Sequence, residues 1–343
     1  MNPVSDAPHT ADSSAAAPVA ASGWLARLQP GLFGIPMGLL GLAGTWTRLG
    51  RPAPEAAPGV AGVSMAIAAL GALIWAVLCV LWIAKWLRHR EQVHGMWRHP
   101  LQGSFLALVP VSTLLVVTYY APLSAGTPWR VPTLALLGAA LLLQLAIAWQ
   151  VVSQLTTGRI TAEQVTPALY LPPVAGGFVG AMALQALGLH GWAVLLFGIG
   201  LGGWALLEAR ILHRLFAGPL PLGLRPTLGL EMAPASVGAL TLAVLWPELP
   251  ADVLLVALGI GTGPVLAVLS RWHWWTEAPF SPGFWSFSFP IAAYAGVVVE
   301  AVHRGGWSVA VAWLATLLAS TVIGYLALRT LALWRDGQLL PPA

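Results

Sequence analysis

Few residues in this chain have side chains suited to chemistry, because charged residues make up 8% of the 343 and hydrophobic ones 58%. The sharpest candidate is Glu231, which lies inside an otherwise apolar stretch at Glu231-Met232-Ala233-Pro234. An ionised carboxylate there is expensive unless water, a cation or a hydrogen-bond donor meets it. It reads as a proton-coupling group, as a structural ion pair or as a neutral acid. Glu208 and Glu300 lie nearer the ends of apolar stretches and are expected to partner local bases or to cap helix packing. His89, His94 and His99 recur at five-residue intervals in a basic segment without cysteine, which puts them on no common helix face, so no metal is expected. Cys79 is the sole cysteine and sits in apolar sequence, which rules out an intramolecular disulfide and leaves packing as its role. There is no phosphate-cradling loop with its lysine, and no pair of acids at a spacing that suggests catalysis. No cofactor is expected. An intramembrane enzyme with Glu231 as acid or base lacks the rest of a constellation.

Proline inside apolar sequence is the other recurrent feature. Pro36 lies in Gly31-Leu32-Phe33-Gly34-Ile35-Pro36-Met37-Gly38, Pro110 in Phe105-Leu106-Ala107-Leu108-Val109-Pro110, and Pro172 in Tyr170-Leu171-Pro172-Pro173. Pro234 follows Ala233, and Pro290 ends Ser286-Phe287-Ser288-Phe289-Pro290. The steps are 74, 62, 62 and 56 residues, and each interval holds one further long apolar segment. Two helices per proline predict five hairpins. A proline removes one amide donor and clashes with the carbonyl four residues back, so a helix through it bends and frees a carbonyl. In lipid that carbonyl must face protein or water, which turns the bends inward, and Phe289 with them.

The elements that must position these residues are membrane spans, since a soluble domain carries about 25% charged residues. Ten spans are expected, near 31–49, 60–84, 102–120, 131–152, 168–188, 191–209, 226–246, 251–270, 284–302 and 307–329. Residues 1–22, rich in Ala, Ser and Pro, read as a disordered cytoplasmic tail, 23–335 as the ten-helix domain and 336–343 as a short cytoplasmic tail. The basic segment from Lys85 to Arg98 reads as a loop, and Arg271-Trp272-His273-Trp274-Trp275 as an interfacial anchor, with no nucleic-acid partner. A cytoplasmic N-terminus puts 12 Lys and Arg residues on the cytoplasmic side and leaves only Arg48, Arg51, Arg130 and Arg304 opposite. That bias predicts both termini inside. Odd-numbered spans hold the small residues and even-numbered ones the bulky Leu, Val and Trp, which predicts an inner layer of odd helices around a central path. Gly263-Pro264 in the eighth span is an exception, so proline alone does not mark the inner set.

Several of these segments, in this order, resemble the tellurite-resistance and dicarboxylate transporter family, which includes the plant slow anion channels, and most closely its TehA branch. They are Gly31 to Leu39, Ser104 to Thr113, Tyr170-Leu171-Pro172, Met232-Ala233-Pro234-Ala235 and Phe284-Trp285-Ser286-Phe287-Ser288-Phe289, within a resemblance covering about residues 28–335. It implies an all-α polytopic membrane protein of five hairpins with pseudo-fivefold symmetry around a central pore, and a homotrimer of separate pores. It further implies that Phe289 obstructs the pore, with Gly34 beside it, and that Pro36, Pro110, Pro172 and Pro234 match four helix bends. Pro290 departs from the glycine found there in TehA, and Glu231 stands where the family is apolar. The function expected is an anion-selective channel or uniporter of a bacterial inner membrane, with small inorganic or organic anions and lipids as partners. The alternative is a proton-coupled exporter of dicarboxylates, tellurite or related oxyanions.

Overall fold

Runs of about twenty apolar residues can cross lipid as helices, which satisfy the backbone within the segment itself. The structure is a computed structural model that describes residues 23–51 and 58–340. The tail expected at 1–22, residues 52–57 and the last residues 341–343 lie outside the described residues. In chain order the helices are α1 (Gly34–Gly50), α2 (Pro58–Arg88), α3 (Arg90–Arg98), α4 (Pro100–Leu106), α5 (Leu108–Ser124) and α6 (Arg130–Thr156). They continue with α7 (Gly176–Ala186), α8 (His190–Ala217), α9 (Ala233–Leu245), α10 (Ala251–Leu269), α11 (Trp272–Trp275), α12 (Ser288–Gly305) and α13 (Val309–Arg335).

Tighter turns lead into four of them. The 3-10 segments Pro30–Phe33, Leu222–Met232 and Pro282–Phe287 precede α1, α9 and α12, while Pro167–Tyr170 and a π turn at Leu171–Ala175 precede α7. Counted with such turns where they are continuous, nine helices among the described residues are long and apolar enough to cross a membrane. The first expected span is the 17-residue α1 together with its 3-10 turn.

Burial divides the spans into two populations. Pro100–Ser124, Pro167–Ala186, Leu222–Leu245 and Pro282–Gly305 bury 72% to 94% of their most apolar stretch, whereas the other five bury only 17% to 28%. α1 belongs with the first group, its apolar residues and glycines being mostly buried. The buried helices touch in a closed circuit, α1 on α5, α5 on α7, α7 on α9, α9 on α12 and α12 on α1. α2, α6, α8, α10 and α13 each pack on the buried helix before them in the chain. Close approach depends on glycine: a Cβ on Gly177 would lie 2.6 Å from Gly200 Cα, so α7 and α8 meet backbone to backbone. α10 contains Pro264 and is nonetheless mostly exposed, as its place among the even-numbered spans predicts.

Two boundaries differ from expectation. The span expected to stop near residue 209 continues as α8 to Ala217, because Arg210 and Arg214 can leave the apolar layer while the helical backbone carries on. The basic segment expected as a loop is the end of α2 followed by α3. Its Lys85 is fully buried, with Nζ donating to the carbonyls of Ala26 at 2.8 Å and Leu28 at 2.6 Å, which fastens the N-terminal turn to α2.

Candidate functional site

The five prolines are all buried; four stand where a 3-10 or π turn meets an α-helix, and Pro110 stands just after the break between α4 and α5. Pro36, Pro110, Pro234 and Pro290 stand second or third in α1, α5, α9 and α12. Pro172 stands in the π turn before α7. A proline in the first α-helical turn fits, since its missing N–H falls where the regular ladder has only just begun. Two carbonyls of the π turn are also held from outside the helix. Gln144 of α6 donates its Nε2 to Pro172 O at 2.6 Å and Leu171 O at 3.2 Å. Gly176 has to be glycine for this, as a Cβ there would come within 2.1 Å of that nitrogen.

The lead-in ends of the buried helices surround a narrow cavity of about 40 Å³. Gly34 and Met37 of α1, Leu108 of α5, Phe178 of α7, Pro234 of α9 and Phe289 of α12 all line it. Phe289 is 3% exposed. Its ring rests on α1 at Gly41, where a Cβ would be 2.7 Å from Cδ2, while Gly34 lies one and a half turns or more away against Trp285 Cβ at 3.0 Å. Gly34 and Phe289 therefore share the cavity, but the seat of the ring is Gly41. Pro234 and Pro290 line the same space, whereas Pro36, Pro110 and Pro172 stand back from it. Two hydrogen bonds hold the lead-in of α12: Trp285 Nε1 donates to Thr330 Oγ1 at 2.8 Å, and Ser286 Oγ donates to the carbonyl of Pro226. Sequence reasoning passed over Phe178, a fully buried ring that needs Gly200 and Gly238 as neighbours; the only signal was a glycine on the facing helix.

Glu231 occupies the 3-10 lead-in of α9. Among the described residues it has no ion-pair partner, and its Oε2 is buried without a hydrogen bond. Its neighbour is Tyr170, whose hydroxyl lies 2.6 Å from Glu208 Oε2 and 3.4 Å from Glu231 Oε1, and Trp204 Nε1 also donates to Glu208 at 2.6 Å. Among the described residues Glu208 has no basic partner; of its two expected roles, it is the joining of helices that its bonds to Trp204 and Tyr170 favour. Two carboxyl groups meet around one hydroxyl, a pairing that no sequence spacing suggested, and Tyr170 itself lines the cavity.

The opposite ends of α1 and α12 are charged. Glu300 takes Arg51 Nη1 on Oε1 at 3.0 Å, Arg304 Nη2 on Oε2 at 3.0 Å and Arg48 Nε at 3.4 Å. This is the partnership with local bases that the sequence suggested for Glu300.

The chain matches the family described as voltage-dependent anion channel (SLAC1) over residues 27–331. It is 30% identical over 317 residues to the tellurite resistance protein TehA homolog of Haemophilus influenzae, a match covering 91% of this chain and 92% of that one. Both similarities run through every element that builds the cavity, and on them this polytopic membrane protein belongs to the voltage-dependent anion channel family.

Proposed function

We propose that the protein is an anion-selective channel or uniporter of the bacterial inner membrane, with Phe289 as the ring that occludes its pore. The observation that carries this reading is the cavity contributed by all five buried helices and met at its inner end by a ring seated on Gly41. In this reading the ten spans form five hairpins with pseudo-fivefold symmetry, the termini are cytoplasmic, and three such chains form a homotrimer with separate pores. The closed circuit of buried helices and the outer helix behind each one support the hairpin arrangement. Selectivity comes from pore dimensions, hydroxyls such as that of Ser286 and backbone dipoles at the lead-in turns, while basic cytoplasmic loops raise the local anion concentration. The test is flux and current in proteoliposomes across a panel of anions, with voltage and pH varied separately. Anion current set by voltage and concentration supports the reading, and cation current or no transport of any anion tested contradicts it.

The second reading, a proton-coupled exporter of dicarboxylates, tellurite or related oxyanions, is favoured by Glu231. A proton shared by Glu208 and Glu231 across Tyr170 would give the orphaned Oε2 a hydrogen to donate and relieve the repulsion of two carboxylates. If it does so, Glu231→Gln abolishes uptake driven by a pH gradient and spares passive anion leak. Unchanged coupling in a folded variant removes this mechanism.

A further inference from the structure

Three of the four arginines that the charge bias leaves opposite the termini converge on a single carboxylate, giving a cluster of formal charge +2, three guanidiniums less one Glu300. Within it the donors are unevenly used. Arg304 is committed to Glu300, to Ala243 O at 3.0 Å and to Trp246 O at 3.2 Å. Arg51 is bound to Glu300 at 3.0 Å and has a side chain 59% exposed. Arg48 is different: it is 9% exposed, and its Nε is buried with no hydrogen-bond partner, touching Glu300 only as an ion pair at 3.4 Å.

Its guanidinium also points somewhere particular. A Cβ added to Gly44 would lie 3.0 Å from Arg48 Nη1 and meet no other heavy atom within 4 Å. The side chain is therefore folded back along α1 over Gly44. Gly44 is three residues beyond Gly41, the seat of Phe289, which is about 4.5 Å along the helix axis and nearly the same face. A guanidinium offers five N–H donors in a plane suited to anions, and one this buried with donors unused is costly unless something negative or water meets it.

We propose that Arg48 is a binding site for small monovalent anions on the far side of Phe289 from the cavity, made positive by Arg51 and Arg304 and held in place by Glu300. This rests on the reading that the anion path runs inside the circuit of buried helices past Phe289. Glu300 orients Arg48 while leaving the cluster an excess of positive charge. An anion that has passed the ring is then met by a fixed charge before it reaches water.

The experiment has two arms on the full-length protein. In the first, crystals are soaked in bromide and its anomalous signal is mapped. The unaltered chain should show bromide within hydrogen-bond reach of Arg48, Arg48→Gln should lose it, and Arg48→Lys should keep it. In the second, chloride is varied on one side at a time across planar bilayers containing Phe289→Ala with and without Arg48→Gln. Half-saturating chloride should rise about tenfold on the Arg48 side alone, as expected for one lost charge-assisted hydrogen bond. No bromide beside Arg48, bromide that persists in Arg48→Gln, or an equal rise from both sides overturns the proposal. Should Arg48→Gln fail to fold, Arg51→Gln at the exposed guanidinium replaces it, with about a twofold rise expected from the loss of one screened charge, and no change counts against the site. If Phe289→Ala does not conduct, the gate reading fails, while the bromide map still decides the site.

Discussion

α1 and α12 lie side by side along their length, yet their two ends are held together by different physics. At the cavity end the contact is steric: Trp285, Ser288 and Phe289 are received at Gly34, Gly38 and Gly41, with a Cβ at Gly38 falling 2.3 Å from Ser288 Oγ. At the other end the same two helices are joined by Glu300 and its arginines. The first end holds a bulky ring in place by shape alone, without an ion pair between the two helices. The second is held by charge. In the proposed reading an anion path uses both, an apolar constriction at one level of this helix pair and a positive site at another.

The largest effect should come from breaking the charged end. Glu300→Gln leaves Arg48 and Arg304 buried without their carboxylate, and should cost about 3 to 5 kcal/mol, read as a fall in melting temperature in detergent. A loss no greater than that of an exposed ion pair would mean that this end is not held by its charges. The steric end should respond less strongly. Gly41→Ala pushes a methyl group to 2.7 Å from the Phe289 ring, which must shift, and the overpacking should cost about 1 to 3 kcal/mol while altering anion conductance. The same substitution at Gly34 strikes Trp285 instead and should leave conductance nearer its starting value. If the two variants change conductance equally, the ring is not seated where the geometry has it. Smallest of all should be Pro290→Ala. Because Pro290 stands in the first turn of α12, restoring an N–H there should change stability by no more than about 1 kcal/mol, against about 3 for a proline that breaks a helix interior. A large gain in stability would return Pro290 to the role of a strained bend.

These contrasts also show what the sequence alone could convey. Apolar length and charge position the helices within a few residues, since both the need to span lipid and the difficulty of burying arginine are properties of composition. The division into buried and exposed spans was legible for the same reason, small residues on one set and Leu, Val and Trp on the other. Register between helices was not. α1 and its lead-in offer Gly31, Gly34, Gly38, Gly41 and Gly44 on related faces, and a pattern that repeats each turn cannot say which member meets Phe289. Nor could spacing reveal that Glu208 and Glu231 meet at Tyr170, partners 38 and 61 residues from that hydroxyl, because the encounter depends on how α8 and the lead-in of α9 pack around α7. The 3-10 and π turns were hidden as well. Over 4 to 11 residues their patterns match those of an α-helix, and the prolines that mark them read equally well as kinks.

The central claim is that the Phe289 ring closes the path, and conductance per folded protein of Phe289→Ala in planar bilayers tests it most directly. Truncating a buried aromatic costs about 3 to 5 kcal/mol of packing, so yield and thermal stability must be recorded beside the current. The account predicts a folded variant that passes anions faster than the unaltered chain and still excludes cations. A folded variant with unchanged or lower anion conductance would contradict it.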